Sequence, residues 1–175
     1  MSIYDVIAAK VKAGELFYVP ATPGGRMVRQ LIATKKIYKE IFLGPWTGDP
    51  DWKTRCHGLQ SELTWFVDGY PINVAFPNDK KPFESKPQVE TRLLHPGEEE
   101  VWEFRGTLKP PVRIFGRFAA RDTFIALRMD RRKNLPRPPW TKEIRKCQRG
   151  WNSLLAPHKP VSGKLYDYLS NAVVI

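Results

Sequence analysis

The sequence predicts an α+β fold, in which a set of antiparallel strands is flanked by helices. Three segments between residues 100 and 130 alternate apolar with polar side chains, which is the period of a half-buried strand. A short polar link separates the last two segments, so we expect the three segments to form an antiparallel meander. Helical periodicity occurs near the N-terminus and again after residue 140. At 175 residues the chain suits one domain, 1–175.

The first part of the chain contains both helical and extended patterns. "SIYDVIAAKVKAG" has apolar residues at helical spacing and ends on Gly14, which favours a short helix. "MVRQLIATKKIYKEIFLG" fits one helical face but also permits a hairpin, and we favour the helix. "LQSELTWFVDGY" predicts a helix with Ser61 as its N-cap, and "INVAF" predicts a strand.

The three central strands are "EEEVWEFRG", "VRIFGRF" and "TFIALRM", with "AARD" as the turn between the last two. Alternation places Arg113 and Arg117 on one face of the second strand, and Arg128 on one face of the third. We therefore expect arginines from neighbouring strands to line one face of the sheet, opposite the core.

The segment after these strands predicts a cationic loop and then a helix. The loop is "DRRKNLPRPP", and the helix is "WTKEIRKCQRGWNSLL". Ile144, Cys147 and Trp151 form its apolar stripe. Trp140 and Trp151 have rings on which nucleic-acid bases can stack, although the position of Trp151 on the stripe favours a place in the core.

The positive charge of the chain is concentrated in one region. Residues 105–150 hold fourteen Lys and Arg against three acids, so this segment alone has a net charge of +11, equal to that of the whole chain. Such a field attracts a polyanion, and the commonest polyanion is nucleic acid. A solvated basic face and a surface for an acidic protein are the alternatives.

Cysteine and histidine usage gives no sign of a metal centre. Cys56 and Cys147 lie far apart and form no CxxC pair, and the three histidines have no ligand spacing. We therefore expect ordinary free thiols, no metal and no cofactor. The sequence also lacks an apolar run long enough for a membrane span or a signal core, so we expect a soluble, cytoplasmic protein.

Four consecutive stretches resemble the RelE/HigB superfamily of toxin-like ribonucleases, in particular its phage-derived HigB-like branch. They are "VWEFRG", "VRIFGRF", "DTFIALRMDRRKN" and "TKEIRKCQRGW", and they correspond to the family's "LWELR", "YRVFYxx" and "DxxxLLHxFxKK" strands and its "kEIexA" helix. The resemblance is strongest over 98–152. Residues 1–97 and 153–175 hold extra elements.

The resemblance implies a small twisted antiparallel sheet with helices packed on one side. It also implies metal-independent cleavage of mRNA, commonly on the ribosome, and an antitoxin that covers the basic site. Its catalytic candidates are the sheet arginine Arg113, Arg105 at the end of the "LWELR"-like strand, and Asp130 and Arg131 at the end of the last strand. The candidates for binding the RNA backbone are Arg117, Arg128, Arg132, Lys133 and Lys109.

The general base for RNA cleavage is not evident from the sequence. Asp130 and His95 are the candidates, and no Tyr or His lies just beyond Met129, where several such toxins carry a functional one. A non-catalytic module of phage origin, which binds nucleic acid or an acidic protein through the same basic face, is the alternative function.

Overall fold

In the computed structural model the described residues are 1–46, 50–75, 89–93, 100–106, 111–135 and 141–174. Within these ranges the helices are α1 (Ile3–Lys12), α2 (Lys35–Tyr38), α3 (Pro50–Asp68), α4 (Thr141–Leu155) and α5 (Leu165–Tyr168). A π-helical turn (Lys39–Leu43) continues α2, and a 3₁₀ turn (Arg132–Asn134) follows the seventh strand. The strands are β1 (Leu16–Tyr18), β2 (Gln30–Thr34), β3 (Ile72–Ala75), β4 (Val89–Leu93), β5 (Trp102–Arg105), β6 (Val112–Ala120), β7 (Thr123–Arg131) and β8 (Ala172–Val174).

The described strands form one mixed sheet with the order β1-β2-β7-β6-β5-β4-β3-β8. The predicted meander is confirmed, since β5, β6 and β7 are consecutive antiparallel neighbours. Its last turn is tight, and Asp122 there has a φ of 60°. The α+β class is confirmed, but the sheet is not antiparallel throughout, because β2 runs parallel to β7, and β3 runs parallel to both β4 and β8.

Apolar cores lie on both faces of this sheet. On one face α3 contributes Phe66, whose ring lies 5.1 Å from that of Phe104 on β5. On the other face α1 and α4 contribute Ile7 and Trp151, which pack with Ile125 of β7. The prediction of helices on one side only is therefore wrong, and no face of the central strands is left fully open to water.

Two local predictions need correction. The segment expected to be one helix from residue 27 contains strand β2 and only then the short helix α2. The helix with the expected N-cap Ser61 begins much earlier, at Pro50, so Ser61 lies inside α3 and donates its hydroxyl to the carbonyl of His57. The first helix, the "INVAF" strand and the helix after residue 140 are confirmed.

The outer segments join the same sheet as the central strands. One buried side chain, Arg29 immediately before β2, links several of them. It donates to the carbonyls of Phe66, Tyr70 and Ser170 and pairs with Asp122 at 3.3 Å. Hydrogen bonds to backbone carbonyls can satisfy a guanidinium that is shielded from water. The segments before and after the central strands are thus linked through one residue.

Candidate nucleic-acid interface

Four of the predicted site residues lie together on the sheet face that α4 covers. The antiparallel register places Arg105 opposite Arg113, and Arg113 opposite Asp130, across three neighbouring strands. Arg128 lies two residues before Asp130 and pairs with it. The alternation therefore groups these side chains as expected, but on a face that contacts a helix and not on a face opposite the core.

A buried acid on β5 holds two of these arginines. Glu103 is fully buried, and its carboxylate lies 2.5 Å from Nε of Arg113 and 3.3 Å from Nε of Arg105. A buried carboxylate is tolerated only when cations compensate its lost hydration. Arg105 and Arg113 are half-buried, and their guanidinium groups are fixed by this shared partner.

A second buried acid, on α4, links the helix to the sheet. Glu143 accepts hydrogen bonds from Nε of Arg128 and from Nζ of Lys146, each at 2.8 Å. Burial by itself raises the pKa of Glu143, but the hydrogen bonds and charges of Arg128 and Lys146 outweigh it and lower the pKa below its usual value. Glu143 is therefore a charged anchor that fixes α4 on β7.

Asp130 has the hydrogen-bond pattern of a structural carboxylate. Oδ2 accepts from Arg128 at 2.8 Å, while Oδ1 accepts from the backbone N–H of Arg131 at 2.9 Å and from the amide of Asn134 at 3.0 Å. Partners in the same chain therefore occupy three of the roughly four lone-pair positions of this carboxylate. These contacts favour a structural role for Asp130 at the end of β7 over a role as general base.

Two predicted residues lie away from the group formed by Arg105, Arg113, Arg128 and Asp130. Arg131 is on the opposite face of the sheet, where its guanidinium lies 4.2 Å from the ring centroid of Trp52 on α3. Arg117 shares the face with Arg113 but is 5% exposed, and its guanidinium lies 5.5 Å from the ring of Trp151. Both cations are positioned by cation–π contacts.

The remaining predicted residues are partly accessible or lie outside the described part of the chain. Arg132 donates to the carbonyl of Leu135 within the turn that follows β7, and the neighbouring Lys133 is exposed. Lys109, His95 and Trp140 fall outside the described residues.

The outward face of α4 carries a cationic stripe that was not among the predicted site residues. Its members are Lys142, Arg145, Lys146 and Arg149, at the i, i+3, i+4 and i+7 spacing of one helical face. All are exposed except Lys146, whose side chain is 31% exposed. The apolar stripe of the same helix is buried. The i+3 and i+4 spacing of these cations was the signal that could have identified them.

The cationic stripe of α4 is continuous with the sheet arginines. Lys146 belongs to the stripe and contacts Glu143, which in turn contacts Arg128 on β7. Glu143 is the only acid between residues 141 and 155, and it is buried and doubly paired. The accessible side chains on the outward face of α4 are therefore positive or neutral, a pattern suited to phosphate groups.

Among the described residues, neither the thiols nor the acidic groups form a second candidate reactive or metal site. Cys56 and Cys147 are free thiols, as expected, and both are buried. Burial raises the pKa of Cys56 to about 11 and that of Cys147 to about 12, so both remain protonated at neutral pH. Among the described residues no group of His, Cys, Asp and Glu side chains has the arrangement of a metal site.

No protein-family model, curated protein or solved structure matches the chain. The resemblance of residues 98–152 to the RelE/HigB superfamily therefore remains a prediction. In the part of the chain that the structure describes, each helix is too short or too polar to cross a bilayer.

Proposed function

We propose that the protein binds RNA through the cationic stripe of α4 together with the neighbouring cations at the end of β7. The observation that carries this proposal is the stripe itself, in which Lys142, Arg145, Lys146 and Arg149 share one face of a helix whose sole acid is buried. From Lys142 to Arg149 the helix rises by roughly 10 Å, so the cations can follow a stretch of phosphate backbone.

The buried acids support binding because they keep the surface rigid. Glu143 fixes the orientation of α4 through Arg128, and Glu103 fixes Arg113 and Arg105 beside it. Side chains that are already held in place lose less conformational entropy when a ligand binds. RNA is proposed over other polyanions because of the resemblance of residues 98–152 to RNA-cleaving proteins.

The salt dependence of RNA binding tests this proposal. For each exposed cation removed by Arg145→Ala or Arg149→Ala, we expect the slope of log affinity against log salt to become shallower by about 0.7, with a matching loss of affinity. Lys53→Ala is the matched control, since Lys53 is equally exposed but lies on α3, on the other face of the sheet. Equal slopes for Arg149→Ala and Lys53→Ala would contradict the proposal.

Cleavage of mRNA is the second candidate function, as a RelE/HigB-like toxin neutralised by a cognate antitoxin. It is favoured by the register that places Arg113 opposite Asp130, which brings a cation and a carboxylate to adjacent strand ends. Against it, both oxygens of Asp130 already accept hydrogen bonds. The antitoxin would be an acidic partner that covers the same surface.

Incubation of mRNA with the purified protein, with and without ribosomes, followed by mapping of 5′ ends, separates the two candidates. A toxin leaves new 5′ ends and arrests growth when expressed alone, and Arg113→Lys reduces both effects. Intact mRNA in both incubations, combined with normal growth, would leave RNA binding as the function.

A further inference from the structure

A pocket of about 1050 Å³ lies beyond the C-terminal half of α4. Its walls come from the strand segment around residue 117, from the last turns of α4 and from the loop at 156–163. Pockets that hold small ligands in proteins have volumes of roughly 300–1,000 Å³. The pocket is therefore large enough for a nucleotide, and its described lining includes none of the catalytic candidates Arg105, Arg113, Asp130 and Arg131.

The walls of the pocket are fixed by hydrogen bonds on three sides. The backbone N–H of Val161 donates to the carbonyl of Phe118 on β6 at 2.8 Å, and Nε1 of Trp151 donates to the carbonyl of His158 at 2.8 Å. The N–H of Gly163 donates to the hydroxyl of Tyr168 at 3.0 Å. The loop at 156–163 is thus tied to the sheet, to α4 and to α5, and the pocket is formed before a ligand arrives.

Two buried groups of opposite charge line this pocket. Arg117 and Glu100 are each 5% exposed. Glu100 has a φ of 41°, an unfavourable value for a residue other than glycine, and its carboxylate accepts a hydrogen bond from the hydroxyl of Tyr168. Burial and the neighbouring Glu100 raise the pKa of Tyr168, so this hydroxyl remains a donor. Strained, buried and charged groups of this kind are typical of binding sites.

We propose that the pocket binds one guanine nucleotide, with the hydrogen-bond donors of the base on Glu100 and the phosphate on Arg117 and Lys159. A carboxylate only accepts hydrogen bonds, so it selects a base that presents donors. Guanine presents two adjacent donors, N1–H and the N2 amino group, whereas uracil presents a single N–H between two carbonyl oxygens. Lys159 lines the pocket and is exposed, as a contact to phosphate requires.

The position of the pocket relates it to the proposed RNA surface, and in that respect the inference rests on the proposed function. Asn152 lines the pocket and follows Arg149, the last cation of the α4 stripe, by three residues, so the two side chains are neighbours on one helical face. An RNA strand on the stripe therefore reaches the mouth of the pocket. The guanine nucleotide is then either free in solution or an unstacked residue of the bound strand.

Titration calorimetry of the full-length chain with GMP, UMP and guanosine tests the pocket without RNA. We expect GMP to bind roughly tenfold more tightly than UMP, because the carboxylate of Glu100 matches guanine. Glu100→Gln removes the charge at nearly constant size and should lower the affinity for GMP by roughly tenfold. Glu15→Gln, an exposed change on the segment after α1, is the control and should leave the affinity unchanged.

A second variant keeps the test independent of folding. Lys159→Ala alters an exposed side chain and should weaken GMP but not guanosine, because only GMP carries a phosphate. Thermal unfolding of each variant verifies the fold. Equal binding of GMP and UMP, or no effect of Glu100→Gln on the affinity for GMP, would overturn the inference.

Oligonucleotides distinguish the two sources of the nucleotide and separate this inference from the proposed function. If the pocket holds a residue of bound RNA, one guanosine placed in an oligouridine raises the affinity, and Glu100→Gln abolishes that gain. If the pocket holds a free nucleotide, GMP binds, but the guanosine within the oligouridine does not raise the affinity of that oligonucleotide. Salt-sensitive binding of oligouridine without any effect of GMP or guanosine would overturn the pocket inference and leave RNA binding intact.

Discussion

The carboxylate of Glu103 on β5 lies fully buried against the guanidinium of Arg113 on β6, at 2.5 Å. The sheet arginine predicted to be catalytic is thus already paired with an acid of the same chain. This pair constrains the side chain of Arg113, and it makes Glu103 as important for the surface as the arginines themselves.

Replacement of Glu103 by Gln should destabilise the fold strongly. The half-buried guanidinium groups of Arg113 and Arg105, 13% and 16% exposed, would lose their shared counter-charge. Removing one partner of a buried ion pair costs about 3–5 kcal/mol in the free energy of unfolding. Urea denaturation measures this change. Asp51→Asn is the control, because Asp51 pairs with Arg55 but its side chain is 80% exposed, so its loss should cost at most about 1 kcal/mol. Equal losses for the two variants would contradict this interpretation.

The ion pairs of Glu143 should make stability depend on pH in the acidic range. Because the pKa of Glu143 is lowered in the folded protein, its contribution is fully present above the unfolded value near 4.5 and is lost as the pH falls through the folded pKa. The difference in free energy of unfolding between wild type and Glu143→Gln should therefore be largest at neutral pH and should shrink in acid. Urea midpoints across this range measure it, and a difference that grows in acid would refute the assignment.

Two glycines should respond in opposite ways to substitution by alanine. A Cβ at Gly116, in the middle of β6, would overlap the carbonyl oxygen of Ile125 and the ring of Phe124, so Gly116→Ala should destabilise by about 3 kcal/mol. A Cβ at Gly150 in α4 meets Leu127 only at ordinary distance, 3.8 Å, so Gly150→Ala should stabilise by about 0.5–1 kcal/mol. Thermal unfolding distinguishes the two, and similar shifts in melting temperature would show this comparison to be wrong.

Both thiols should be inert in the folded protein. Cys56 and Cys147 are buried with raised pKa values, so the thiolate that reacts with alkylating reagents is scarce and shielded. Labelling with iodoacetamide at mildly alkaline pH, followed by mass spectrometry, should show little modification without denaturant and two modified cysteines in urea. Rapid labelling of Cys147 in the native protein would mean that α4 detaches from the sheet.

The strands that could be predicted from sequence are those with a regular alternation. The pattern of β6 and β7 led to the correct expectation that Arg113 and Arg128 share one face. Strict alternation, however, would place Arg128 with Phe124 and Ala126, and a register shift after Phe115 puts it on the face of Ile125 and Leu127 instead. Strand β2 could not be identified in this way: Leu31, Ile32 and Ala33 are all buried, since both faces of the sheet are covered there, and such a run has no period of two.

The partner of Arg128 could not be predicted because it depends on the tertiary structure. Glu143 lies fifteen residues after Arg128 in sequence, yet accepts its hydrogen bond because α4 folds back onto β7. Alternation likewise shows which side chains share a face but not which helix will cover that face. The cationic stripe of α4, in contrast, was available from spacing alone once the helix had been recognised.

The order of the strands has a consequence for how quickly the native state can form. Ile32 pairs with Ile125, and Ile72 pairs with Ala172, so two parallel pairings join segments that are far apart along the chain. The chain between two such segments must lose conformational entropy before their pairing stabilises the fold. Proteins with many non-local pairings therefore fold in milliseconds to seconds. The hairpin of β6 and β7 is local and can form first, with its edges exposed until β2 arrives. During that interval the excess of positive charge in the same region opposes aggregation by keeping neighbouring chains apart.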